Sequence, residues 1–456
     1  MSRSWILLSA SLAAAFGGFL FGFDTAVISG TLSFIQGQFG LDPLQEGWYV
    51  SSALVGCVAG VAFAGALSDR FGRRRVLLLS SLLFLISTVN CTFAPTLAML
   101  VAGRLIAGSA IGVASMLAPL YISEIAPPER RGMLVSLYQF AITLGILCAY
   151  FSNAWVVSLS HSGPSPSGVF GLLYAQEPWR GMFANMIVPN IVFLLLLLFI
   201  PESPRWLIAH GAAPEARRIL SRIGGGGGGE EAFSQIERTI RQEESSLGQL
   251  FQKNMRGALL IGLLLPVFSQ LSGINAIIYY GPKILSEAGF SISDALGGQV
   301  SIGIVNVAFT VLAIRQVDRW GRRPLLLAGM TGVVLSLSAV GALFASGVSQ
   351  GWILIACIMC FIACFAFSLG PVTWIVISEI FPTHIRGRAM SVATLAIWGT
   401  NAAVGQAFPW MLFHLGASGT FWAFALICAP AVLVFFRLLP ETKGKTLEEI
   451  ELSFHR

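Results

Sequence analysis

Two oppositely charged residues, Asp24 and Arg104, stand inside long apolar runs. An isolated ion at the centre of a hydrocarbon layer costs at least ~2.5–3.5 kcal/mol, so such residues mark either a function or a pair. Asp24 falls in FGFDTAVISG (21–30), well along the first run. Arg104 lies about two turns into the run that begins near Leu97, which is read in the opposite direction. Both therefore come to comparable depth. A lone Asp there holds a proton because burial penalises its charged form, whereas a guanidinium alongside favours the ionised form. Movement of Arg104 relative to Asp24 then switches the carboxyl between holding and releasing a proton, which is a coupling device. A static buried ion pair is the alternative reading of the same residues.

Neutral polar residues in the apolar runs form a second group. Gln139, Gln270, Asn275 and Asn306 carry amides that both donate and accept, and Tyr279, Tyr280, Trp374 and Trp398 offer aromatic faces. A solute with hydroxyls on its edges and C–H groups on its faces, a sugar, needs this combination. Gln270 and Asn275 fall close to one helical face. A lone intramembrane amide also serves simply to join helices, but the number of such residues favours binding.

A third group of charges lies at the ends of the runs and occurs twice. DRFGRR (69–74) returns as DRWGRR (318–323), SEIAPPERRG (123–132) as SEIFPTHIRG (378–387), and PESPRWL (201–207) is answered by PETKGKT (440–446). The offsets, all about 240–255 residues, are near constant and the order is kept, which is the mark of an internal duplication. Asp69, Arg73, Glu124, Arg131, Asp318, Arg322, Glu379 and Arg386 place both signs at equivalent positions in each half. They are expected to form interhelical charge pairs that close one end of the molecule in one state and part in another; topology signals and loop caps are the blander reading.

These residues need elements to hold them. Of the 456 residues 55 % are hydrophobic and 11 % charged, and the mean hydropathy is +0.77, values that exclude a water-soluble fold. Runs of roughly 20 apolar residues, enough to cross about 30 Å of hydrocarbon, recur throughout. They lie near 5–34, 47–68, 75–93, 97–121, 132–157 and 182–200, and after a polar stretch near 256–287, 297–316, 324–346, 351–378, 388–414 and 419–439. This predicts an all-α membrane protein of twelve transmembrane helices in two pseudo-twofold-related six-helix bundles: 1–200, a linker at 201–255, 256–439 and a cytoplasmic tail at 440–456. With both termini cytoplasmic, nearly every Lys and Arg outside the spans falls inside the cell, Arg180 and Lys283 excepted. No cleavable leader is expected before the first span. The linker predicts short amphipathic helices at 213–223 and 230–244 joined by a flexible glycine run (224–229), acting as a cytoplasmic latch or merely a connector. Two duplicated six-helix halves imply a substrate site between them and rocking of one against the other. The seven cysteines lie almost entirely in apolar runs and read as packing residues, the CxxC at Cys357 and Cys360 included. The five scattered histidines form no catalytic or metal-binding pattern, so no enzyme is expected.

Taken with QLSGINAIIYYGP (270–282), the repeated motifs resemble the sugar porter branch of the major facilitator superfamily, which includes bacterial pentose and hexose proton symporters and animal glucose facilitators. The resemblance covers nearly the whole chain. It implies a multi-pass protein of the plasma (inner) membrane, a monomer that takes a monosaccharide and protons as partners, with the bilayer as solvent and without cofactor, metal or nucleic acid. It implies proton coupling at Asp24, since the passive facilitators typically carry an amide there, and sugar contacts at Phe21, Gln139, Gln270, Asn275, Tyr280, Asn306, Trp374 and Trp398. A passive sugar uniporter and, more remotely, a transport-inactive sugar receptor share the scaffold. Three positions depart from the family pattern: Ser269 replaces the first of a Gln pair, Ile397 precedes Trp398 where Gln or Asn is common, and Ile146 stands where the xylose symporter has Gln. Gly370 and Pro371 are expected to loosen the tenth span.

Overall fold

The computed structural model describes residues 3–160, 168–224, 226–242, 255–347, 351–381 and 386–443, and among them the ordered elements are all helical. The Ser/Pro-rich segment 161–167 and the tail beyond 443 lie outside the described residues, as do the side chains of Arg131, Asp318 and Arg386. In chain order the helices are α1 (Arg3–Phe39), α2 (Pro43–Phe71), α3 (Arg73–Phe93), α4 (Leu97–Ile125), α5 (Pro128–Ser160), α6 (Gly168–Gly171), α7 (Pro178–Ala184), α8 (Ile187–Phe199), α9 (Pro204–Ala209), α10 (Ala213–Gly224), α11 (Gly226–Gln242), α12 (Arg256–Leu271), α13 (Ile274–Glu287), α14 (Ile292–Trp320), α15 (Arg322–Ala345), α16 (Gly351–Phe367), α17 (Leu369–Ile380) and α18 (Arg386–Leu438).

Eleven described helical segments are long and apolar enough to cross a membrane. The last of them, Ala389–Leu438, has 50 residues, about 75 Å of helix at 1.5 Å per residue and more than twice a hydrocarbon core. Its backbone leaves helical geometry at Gly416 (φ 67°, ψ 175°), so it is two crossings joined by a glycine turn, and the spans number twelve as expected.

Three expected spans are broken. The seventh divides at Gly273, in the left-handed region (φ 80°), into α12 and α13. The sixth divides into α7 and α8. The tenth divides into α16 and α17 at Ser368 (φ −127°, ψ −82°), just before the Gly370–Pro371 pair expected to loosen it. Pro371 has no N–H for the Phe367 carbonyl, so the helix fails on its N-terminal side. There the Ser368 hydroxyl donates to the Cys364 carbonyl at 2.6 Å.

The described chain forms two compact units. One comprises Met1–Asp24, Gly56–Gly145 and Phe183–Ser245; the other comprises Thr25–Val55, Ile146–Met182 and Ser246–Arg456. In the first, α3 lies along α4 and α8, and Asn190 of α8 donates to the Thr88 hydroxyl of α3 at 2.7 Å. Helices α2 and α4 touch backbone to backbone: a Cβ at Gly56, Gly60 or Gly112 would run into the carbonyl oxygens of Leu105, Ser109 and Cys57. Such small-residue seams drive helix association where lipid offers no hydrophobic gain. Helices α9, α10 and α11 bury Leu207, Ala216, Ile219, Leu220 and Phe233 among themselves. Arg217 lies over the Phe233 ring at 4.3 Å and pairs with Glu230 at 3.1 Å. The glycine run expected to be a hinge is instead helical from Gly226, despite a cost of about 1 kcal/mol per glycine relative to alanine. At Gly229 a Cβ would press on the Ser221 backbone, so the close α10–α11 approach requires glycine.

In the second unit α18 packs on α12 and α15, and α16 fits between α14 and α15. The same unit holds the parts of α1, α2 and α5 remote from the repeated motifs. There Asn153 of α5 donates to the Ala26 and Val27 carbonyls of α1 at 3.4 and 3.3 Å.

A Gly60→Leu variant should overpack the α2–α4 seam and cost about 1–3 kcal/mol, measured as a lowered melting temperature in detergent; an unchanged melt would show that the seam has room.

Candidate functional site

Asp24 and Arg104 meet. The Arg104 Nη1 donates to the Asp24 Oδ2 at 2.7 Å, from α4 to α1, with side chains 3 % and 4 % exposed respectively. Both belong to the first unit. The buried thiols of Cys57 and Cys91 belong to the same unit. Desolvation makes each charge depend on the other: removing one partner of such a pair costs about 3–5 kcal/mol, because the survivor is left uncompensated.

The repeated motifs build the same structure twice. In the first unit Gly72 takes a conformation closed to other residues (φ 94°, ψ 159°) and starts α3, whose orphan N–H groups at Arg73 and Arg74 donate to the Glu202 carboxylate at 2.9 and 3.1 Å. The Arg73 guanidinium reaches Glu124 and Asp69, each at 3.1 Å, and Ser203 donates to Glu124 at 2.5 Å. Arg74 reaches the Leu198 carbonyl at the end of α8, 2.6 Å away. In the second unit Gly321 (φ 92°, ψ 161°) starts α15. The Arg322 and Arg323 N–H groups donate to Glu441 at 3.0 and 3.1 Å, and the Arg322 guanidinium to Glu379 at 2.9 Å. Thr442 donates to Glu379 at 2.6 Å, and Arg323 to the Phe436 carbonyl at 2.6 Å. Each described charge pair of these motifs thus lies inside one half of the duplication.

Of the amides and aromatics, Phe21 and Gln139 are half-buried in the first unit. In the second, Asn275 Nδ2 donates to Gln270 Oε1 at 2.6 Å across the break at Gly273, both side chains remaining half-buried. Tyr279 and Asn401 exchange a hydrogen bond at 3.1 Å. Tyr280 is fully buried: its hydroxyl donates to the Gly405 carbonyl at 2.9 Å and its ring stacks on Phe408. Asn306 and Trp398 are buried and Trp374 half-buried. Ser269, Ile397 and Ile146 are all buried.

The sequence matches the family model described as "Sugar (and other) transporter" over residues 10–454. The chain belongs to the sugar porter family. Its relatives in that family include the arabinose-proton symporter of Bacillus subtilis, 43 % identical over 97 % of this chain and 93 % of that one. The D-xylose-proton symporter of Escherichia coli is 37 % identical over 98 % and 96 %. Among solved structures, a partially occluded inward-open conformation of the E. coli xylose transporter XylE superposes with a TM-score of 0.85 at 35 % identity, covering 96 % of this chain and 99 % of that one. The chain is an integral membrane protein.

Sequence reasoning missed Glu202 and Glu441 as the carboxylates that cap α3 and α15, although their motifs were paired; an acid following Pro at the same place in both halves was the available signal. It also missed Glu46, which is fully buried and bonded to Lys283. A start at 47 left Glu46 in a loop. The Asp42 backbone N–H bonds Gln45 Oε1, and the Gln45 N–H bonds Asp42 Oδ1 at 2.8 Å. This capping box, with Pro43 in the first helical position, starts α2 earlier.

Replacing Glu202 or Glu441 by Ala should cost about 1–3 kcal/mol each, as two charge-assisted bonds to backbone N–H groups are lost. Thermal unfolding in detergent checks this, and a melting temperature equal to the parent's for either variant would contradict the capping role.

Proposed function

We propose that this sugar porter is a proton-coupled symporter of a monosaccharide, a hexose or a pentose, working by alternating access of two homologous six-helix halves. The observation that carries the reading is the buried Asp24–Arg104 pair at 2.7 Å. A purely passive carrier needs no carboxylate in such a place, and holding one there without a role costs stability. In the proposed cycle a proton reaches Asp24 when Arg104 withdraws, sugar binds, the protein reorients, and the return of Arg104 expels the proton. The names of the arabinose-proton and D-xylose-proton relatives support the same coupling ion.

Phe21, Gln139, Gln270, Asn275, Tyr280, Asn306, Trp374 and Trp398 are the proposed sugar residues. Gln270 and Asn275, already bonded to each other, present preorganised donors and acceptors, whereas Tyr280 acts in this conformation by packing. The duplicated carboxylate–arginine modules at Arg73–Glu124 and Arg322–Glu379 are the proposed cytoplasmic gate, with both termini on that side in accordance with the arginine bias. The chain acts as a monomer in the plasma (inner) membrane, uses no cofactor beyond the proton and catalyses no chemical reaction.

The test is uptake of labelled arabinose, xylose, galactose and glucose into proteoliposomes, with and without an inward proton gradient, by the parent and by Asp24→Asn. The parent should accumulate one sugar against its gradient, and Asp24→Asn should lose accumulation while retaining exchange. Gradient-independent equilibration by both proteins would instead identify a passive uniporter with a structural ion pair.

A further inference from the structure

A second buried ion pair lies far along the sequence from the first. Lys283 Nζ reaches both carboxylate oxygens of Glu46, at 2.7 and 2.6 Å. The Glu46 side chain is 0 % exposed and that of Lys283 22 %. Glu46 sits in the first turn of α2 and Lys283 in α13, directly after Pro282, so the pair joins the two halves of the duplication within one compact unit. It lies at the ends of the helices opposite the arginine-rich motifs, the external face in the orientation proposed above.

Several of the surrounding bonds cross the same seam. Gln406 of α18 donates to the Leu44 carbonyl at 3.0 Å and accepts from Ser51 at 2.7 Å. A Cβ at Gly47 would strike the Gln406 backbone carbonyl. Pro282 leaves the Ile278 carbonyl without its helical donor, and that oxygen accepts from Gln299 at 3.2 Å and from Tyr150 of α5 at 3.4 Å. Of these cross-seam bonds only Glu46–Lys283 joins two charges.

We propose that Glu46 and Lys283 are an external latch: the outer face seals only when carboxylate and ammonium meet, and opening to the outside separates them into water. The inference rests on the transport reading for its purpose but not for its test. A paired buried ion roughly balances desolvation against attraction, so the intact latch closes and reopens with little net cost. Neutralising one partner leaves a charge that cannot be buried, and the seal is lost. Neutralising both removes the problem along with the attraction, so the seal recovers. The pair therefore acts as a registration check on closure and not as a permanent clamp. Glu46 and Lys283 are positioning residues that need touch neither sugar nor proton.

The experiment is labelling of Ser51→Cys, a buried seam position, by a charged, membrane-impermeant maleimide applied to the external side of intact cells, without sugar. The parent carrying Ser51→Cys should label slowly, against a control lacking that cysteine. Adding Glu46→Gln or Lys283→Met should raise the rate about tenfold or more. The double variant Glu46→Gln/Lys283→Met should label more slowly than either single. Size-exclusion profiles matching the parent's establish that each variant is folded. Single variants that label at the parent rate, or a double variant at least as fast as the singles, would overturn the latch. Because no sugar is present, that result would leave the symport reading untouched, and loss of symport would leave this one standing.

Discussion

In a medium that solvates no charge, an ionised group within a span must find its counter-charge inside the protein. The Asp24–Arg104 contact is the central case. Neither residue tolerates the other's absence in a site so buried, so the pair ties α1 to α4 at that level. The small-residue seam between α2 and α4 follows from the same medium: lipid tails give apolar side chains no reason to associate, so the helix carrying Arg104 is held in register by backbone contact at Gly56, Gly60 and Gly112.

The ends of the helices obey the same rule with water nearby. Helix N-termini expose N–H groups without partners, and α3 and α15 meet this with carboxylates borrowed from Glu202 and Glu441, far away in sequence. The two arginine-containing turns can then point at Glu124 and Glu379 because a positive-φ glycine, Gly72 or Gly321, sets the angle at which each helix begins. Duplication explains why the solution appears twice with the same geometry.

Much of this was legible beforehand, for identifiable reasons. Twelve spans follow from run length, the two carboxylate–arginine modules from the quoted motifs, and the Asp24–Arg104 pair from the rarity of charge at depth. What was not legible depended on local backbone. The break at Ser368 precedes the proline that causes it, because the lost hydrogen bond lies four residues upstream. The glycine run looked like a hinge because glycine has low helix propensity, yet from Gly226 onward it is helical, and at Gly229 it packs directly on the Ser221 backbone. Glu46 was hidden by a span boundary set from hydropathy, although the Asp42–Gln45 capping box placed it inside a helix. Tyr280 is a sugar contact by resemblance, and in the described conformation its hydroxyl is occupied by the Gly405 carbonyl.

The most direct test of the central claim follows the proton and not the sugar. Lightly buffered vesicles containing the protein, with no imposed gradient, are given external sugar while the external pH is recorded. If Asp24 and Arg104 couple the two movements, sugar entry alkalinises the medium at once, in fixed proportion to the sugar taken up, and a protonophore abolishes the signal. Sugar entry without any change in external pH would contradict the account and leave the pair a structural one.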